Sequence, residues 1–172
     1  MTILAAIDGE EVPSETVEVA GELARQFDEE LVVLHVMPQE AFDELEEAMS
    51  PESRSLKFPL AGGVSYGGDV GDGFGTSGGD GRFSIEDGQR EAESVARSVV
   101  NGTLDSGRDI VAVGQVGEPT EEIIAEAERR GPRYLVIGGR RRTPVGKAVF
   151  GSTTQSILLN AELPVMTVMR EE

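Results

Sequence analysis

Residues 2–38 read TILAAIDGEEVPSETVEVAGELARQFDEELVVLHVMP, and this stretch decides the fold. Thr2–Ile7 is a short apolar run that stops at Asp8-Gly9, the pattern of a buried strand followed by a turn. Pro13-Ser14 opens a helix to about Phe27. Its apolar stripe is Val17, Ala20, Ala24 and Phe27, with Glu15, Glu18, Glu22 and Arg25 toward solvent. Glu30–Met37 carries the run LVVLHV, a second buried strand stopped by Pro38. Strand, helix and strand in so few residues make one right-handed βαβ unit with parallel strands.

Downstream the alternation breaks and then resumes. A short acidic stretch, Phe42–Met49, has the composition of a helical turn or two. Pro51, Pro59 and a glycine tract follow, with ten of the chain's 22 glycines between Gly62 and Gly81. Such a segment buries too little apolar surface to offset its chain entropy, so residues 39–83 are expected to form a flexible, acidic, glycine-rich surface insertion. Glu86–Asn101 then reads as a helix with Val95, Val99 and Val100 inward, ended by Asn101-Gly102. Asp109–Val116 is a third strand. Glu118–Arg130 is a helix entered through Pro119, with Ile123, Ile124 and Ala127 buried and Gly131-Pro132 as its stop. Arg133–Ile137 is a fourth strand ending in Gly138-Gly139, Ser152–Asn160 a short helix, and Pro164–Met169 a fifth strand. The prediction is a single α/β domain over residues 1–172: a five-stranded, parallel, doubly wound sheet with helices on both faces.

Composition narrows the function classes. Thirty-two acidic against fifteen basic residues give a net charge of −17 at pH 7, which disfavours nucleic acid as a partner of the surface as a whole. The longest apolar runs are strand-sized, so no membrane span is expected. Met1–Ile7 leads straight into strand without a basic leader region, and the cytoplasm is the expected compartment. There is no cysteine and a single histidine, His35, which makes thiol chemistry impossible and a zinc site improbable. Only two basic residues are lysines, Lys57 and Lys147. Acid excess combined with lysine depletion predicts adaptation to molar salt, where the Debye length falls to about 3 Å and self-repulsion is screened.

The informative motif runs from Ile137-Gly138-Gly139-Arg140-Arg141-Arg142 to Gly151-Ser152-Thr153-Thr154. A strand delivers two glycines, which allow close backbone approach to a ligand, and a glycine-serine pair opens the next helix. The first N–H groups of that helix carry the positive end of its dipole, so with the Ser152 and Thr153 hydroxyls they form an anion site. A plain turn and an ordinary N-cap satisfy the same residues, and this physics alone does not choose between them.

The spacing resembles the universal stress protein signature, Gly-x2-Gly-x9-Gly-(Ser/Thr), with Gly138, Gly151 and Ser152 on its first glycine, last glycine and hydroxyl position. Other segments follow in order. Ile3–Asp8 looks like the family's first strand and its aspartate, and Leu34-His35-Val36 like its second strand. Gly117-Glu118-Pro119 resembles the start of its third helix, and Leu163-Pro164-Val165 the start of its last strand. The acidic, lysine-poor composition extends the resemblance to haloarchaeal members.

The resemblance implies an adenine nucleotide alpha hydrolase-like, Rossmann-like fold and a stress-response role. It also implies ATP as ligand, with Mg2+ accompanying it, at the ends of the first and fourth strands. There Asp8 would contact the nucleoside, the backbone of Val36 the base, and Gly138, Gly151 and Ser152 the phosphates. One position departs from the pattern: the signature's second glycine is Arg141 here. In the family's nucleotide binders that glycine brings backbone close to the phosphates. Two outcomes stay open, a guanidinium that fills the pocket and one that swings out to pair with a phosphate. The alternative function is accordingly a dimeric interaction module of the same family that has lost nucleotide binding.

No P-loop and no Gly-x-Gly-x-x-Gly after the first strand is present. The aspartates Asp69, Asp72 and Asp80 lack the nine-residue period of calcium-binding glycine repeats. No placed base or set of metal carboxylates stands out, so any ATP hydrolysis is expected to be slow. Family members usually dimerise through the last strand, and Val165–Met169 would leave an apolar edge uncovered in a monomer. A homodimer through residues 165–169 is expected; the sequence names no other protein partner.

Overall fold

A computed structural model describes residues 1–10, 14–49, 83–105, 110–140 and 150–170. In chain order the elements are β1 (Thr2–Ile7), α1 (Glu15–Phe27), β2 (Glu30–Pro38), α2 (Gln39–Ala48), α3 (Ile85–Thr103), β3 (Ile110–Gly117), α4 (Pro119–Arg130), β4 (Tyr134–Arg140), α5 (Ser152–Asn160) and β5 (Val165–Arg170). The five strands form one parallel sheet in the order β3-β2-β1-β4-β5. Helices cover both faces, so the α/β doubly wound expectation holds.

Each face has its own core because side chains alternate along a buried strand. Ile3, Ala5, Leu31, Val33 and Val136 pack with Val17, Ala20 and Ala24 of α1 and Ala96 and Val99 of α3. Leu4, Val32, Leu34, Leu135 and Ile137 pack with Ile123 and Ala127 of α4 and Ile157 of α5. The β1–β2 and β1–β4 pairings hold the middle of the sheet, with β1 as its central strand. Among the described residues, no helix is long and apolar enough to cross a membrane.

Helix starts follow the expected chemistry. Ser14 caps α1 by accepting from the Val17 N–H, and Ser84 and Asp87 form a reciprocal capping box at α3. Pro119 opens α4, with Glu118 accepting from Glu121 N–H at 2.9 Å.

Four details differ from the sequence reading. Residues 39–49 were expected within the insertion, yet α2 begins at Gln39 and buries Phe42 and Leu45 against Met37, Phe83 and Ala92. The Phe42 and Phe83 rings lie 5.5 Å apart, joining the two chain segments that flank residues 50–82. The glycine tract itself lies outside the described residues. Second, β4 continues through Gly138 and Gly139 to Arg140, since β5 keeps pairing with it beyond the end of β1.

Third, Phe27 is exposed; its ring lies 5.9 Å from that of Tyr134 and under the Arg133 guanidinium at 4.8 Å. Fourth, on α4 Ile124 is only half-buried, while Glu126 is buried and paired with Arg129 and Arg130. Burial pushes the Glu126 carboxyl up, and the bonds from both arginines outweigh that effect, holding it below its ordinary value.

Candidate functional site

The sheet builds a notch above β1. The last residue of β1 to pair with β2 is Ile7, opposite His35, and the last to pair with β4 is Ala6, opposite Ile137. Both neighbours run on: β2 through Val36, Met37 and Pro38, and β4 through Gly138, Gly139 and Arg140. The notch lies at the carboxyl ends of the strands, where the chain changes direction across the sheet, and open α/β sheets bind ligands in such crevices.

Asp8 and Val36 both lie one step beyond the Ile7–His35 pair. Asp8 is exposed, and its Oδ1 accepts from the Glu10 N–H at 3.2 Å across the turn at Gly9, whose φ of 78° suits glycine. The Val36 side chain is buried on the α4–α5 face, and its backbone pairs with Gln115 of β3. Its predicted role therefore rests on backbone and not on side chain.

Gly138 occupies the opposite wall. A Cβ at this position would lie 3.2 Å from the Thr16 hydroxyl oxygen in the first turn of α1, a contact tighter than side chains ordinarily make. On the other side the Gly138 carbonyl accepts from the Thr154 hydroxyl at 3.0 Å. That bond seats the start of α5 on the end of β4. Gly151 is the N-cap of α5 and provides no side-chain cap, unlike Ser14, Ser84 and Glu118 at their helices. Ser152 is exposed and Thr153 half-buried at this helix start. Asp8, Gly138, Gly151, Ser152 and Thr153 thus converge on one end of the sheet. Arg141 lies outside the described residues. The sequence reading missed Thr16 and Thr154; the one available signal was a hydroxyl in the first turn of each helix.

His35 forms the floor. It is 2% exposed, its Nδ1–H donates to the Ile7 carbonyl at 3.2 Å, and its ring abuts Gly9. Burial holds its pKa below the ordinary 6.5, against opposing contributions from the Ile7 hydrogen bond and the Asp8 carboxylate. The unfolded chain therefore takes up a proton at higher pH than the folded one. His35 lowers stability once pH falls below 6.5, until the folded-state value is reached. Chemical denaturation of the wild type and His35→Gln should give a stability difference that is flat above pH 7. Below pH 6.5 the wild type should lose up to about 1.4 kcal/mol per pH unit relative to the variant. A pH-independent difference would contradict the neutral, buried imidazole.

The Universal stress protein family model matches residues 1–61 and 76–169, and the gap between the two matched stretches falls within the glycine tract. The chain belongs to the universal stress protein family. Among its relatives is a universal stress protein of Mycolicibacterium smegmatis, 41% identical over 51 residues, or 30% of this chain and 39% of that protein. A second is universal stress protein MJ0577 of Methanocaldococcus jannaschii, 27% identical over 81 residues, or 47% of this chain and 50% of that protein. The matched region thus spans half or less of each curated relative.

Against solved structures, the MJ0577 chain superposes with a TM-score of 0.52 at 22% identity, covering 99% of this universal stress protein and 96% of that chain. A universal stress protein solved in complex with cAMP gives 0.52 at 16% identity, over 99% and 98% of the two chains. At these identities the likeness shows the fold.

Proposed function

We propose that this universal stress protein is a cytoplasmic stress-response module that binds ATP or a related adenine nucleotide in the notch above β1. The observation that carries the reading is the seating of α5. Its glycine-capped N-terminus is hydrogen-bonded onto Gly138, beside strand ends that overhang β1. Such an end offers backbone N–H donors and a positive dipole to phosphates, with the Ser152 and Thr153 hydroxyls beside them. Asp8 sits one register step away, suited to accept a hydrogen bond from a ribose hydroxyl. A family relative was solved with cAMP, itself an adenine nucleotide, which supports the ligand class. Mg2+ would accompany ATP, and turnover would be slow. Adding ATP at millimolar concentration and high salt should raise the melting temperature, since a ligand bound only to the folded state stabilises it. An unchanged melting temperature would argue against the reading.

Arg141 favours one competing reading, because it stands at the signature's second glycine. In that reading the chain is a dimeric interaction module without nucleotide. Dimerisation is common to both. β5 is an edge strand with half-buried Val165–Met169, and pairing between two copies would satisfy its open backbone edge. Light scattering in molar salt should give the mass of two chains; a monomer there would contradict the dimer.

A further inference from the structure

We propose that Thr154 is the positioning residue of the phosphate cradle, fixing the α5 N-terminus against β4 so that its first N–H groups face the ligand's phosphates. This inference rests on the nucleotide reading above. β1 pairs with β4 only as far as Ile137, so the carbonyl of the next residue, Gly138, lies beyond that ladder. Gly138 is exposed at the notch, and its carbonyl takes a protein donor where water could otherwise serve. Thr154 provides it at 3.0 Å and is itself only 8% exposed. Thr154 is the third residue of α5, and side chains in a helix lean toward its N-terminus. Its hydroxyl can therefore reach back to the strand while the N–H groups of Ser152 and Thr153 stay on the open side.

Gly138 is a firm anchor for this bond because its opposite face is closed by Thr16, which is 9% exposed. Gly138 is thus held between the first turns of two helices, α1 on one face of the sheet and α5 on the other. Loss of the Thr154 bond would free the α5 end to shift, and the cost would fall on the phosphate end of the ligand. The nucleoside end, beside Asp8 and Val36, would be untouched.

Titration calorimetry of the full chain with ATP and with adenosine, in matched high salt, tests this. Thr154→Val should weaken ATP about tenfold, the upper range for one hydrogen bond, and leave adenosine within twofold. Thr154→Ser, which keeps the hydroxyl, should bind ATP within twofold of the wild type. Equal ATP affinity in Thr154→Val and wild type would overturn the role. Parallel loss of ATP and adenosine would also overturn it, by marking Thr154 as purely structural. Should Thr154→Val not fold, Thr154→Ala replaces it and is read by the same ratio of ATP to adenosine affinity. A wild type that binds neither ligand defeats the nucleotide reading itself, and this inference with it.

Discussion

Gly114→Ala should cost about 3 kcal/mol or more of stability, at or beyond the upper end of the range for overpacking a core. Gly114 lies in β3 where α3 crosses it. A Cβ there would stand 2.0 Å from the Gln89 carbonyl oxygen and 2.2 Å from the Glu93 nitrogen. Both are helix backbone, so no rotamer change relieves the clash; α3 as a whole must lift. Lifting it opens the packing of Ala92, Ala96 and Val99, which are fully or almost fully buried. For a chain of this size the melting temperature should fall by roughly 6–12 °C. A shift of under about 2 °C would mean that α3 does not pack this closely on β3.

Arg141→Gly should strengthen ATP binding by about tenfold, equivalent to about 1.4 kcal/mol. The substitution restores the signature's second glycine and lets backbone approach the phosphates, while Asp8, Gly138 and the start of α5 are unchanged. The opposite sign has a definite meaning. If the guanidinium holds a phosphate, the variant should bind more weakly by about 1.5–3 kcal/mol, the scale of a charged hydrogen bond. Calorimetry on the two proteins in the same salt separates these roles by sign, and identical affinities would leave Arg141 without a part in binding.

The sheet was legible because its three central strands are mostly buried and read as apolar runs, and because a glycine or a proline stands at the end of each of the first four strands. What escaped the sequence depends on contacts between distant segments. Helix α2 looked like part of the insertion because it is acidic and follows Pro38. Its apolar partner Phe83 lies on the far side of the glycine tract. Gly138-Gly139 looked like a turn because local chemistry says so; pairing with Val168 and Met169 of β5 keeps them in the strand.

At the candidate site the signature glycines and Ser152 were readable from spacing, and Asp8 from its place after the first strand. Thr154 was not, because its partner Gly138 lies 16 residues upstream and the bond exists only once α5 folds back onto β4. Thr16 was hidden for the same reason, since its significance comes from the α1–β4 approach. The buried set read for α4 was Ile123, Ile124 and Ala127; that Glu126 is buried follows from two arginines within one turn of the same helix.

Binding of an adenine nucleotide in the notch above β1 leaves a local signature. The most direct measurement is an ATP titration of the isotope-labelled wild type at high salt, followed by backbone amide NMR shifts. Saturable changes should cluster at Asp8–Gly9, Val36, Gly138–Gly139 and Ser152–Thr154, with β3's outer edge and the amino ends of the strands unmoved. Shifts centred away from that notch, or none at millimolar ATP in a chain that retains its dispersed spectrum, would contradict the account.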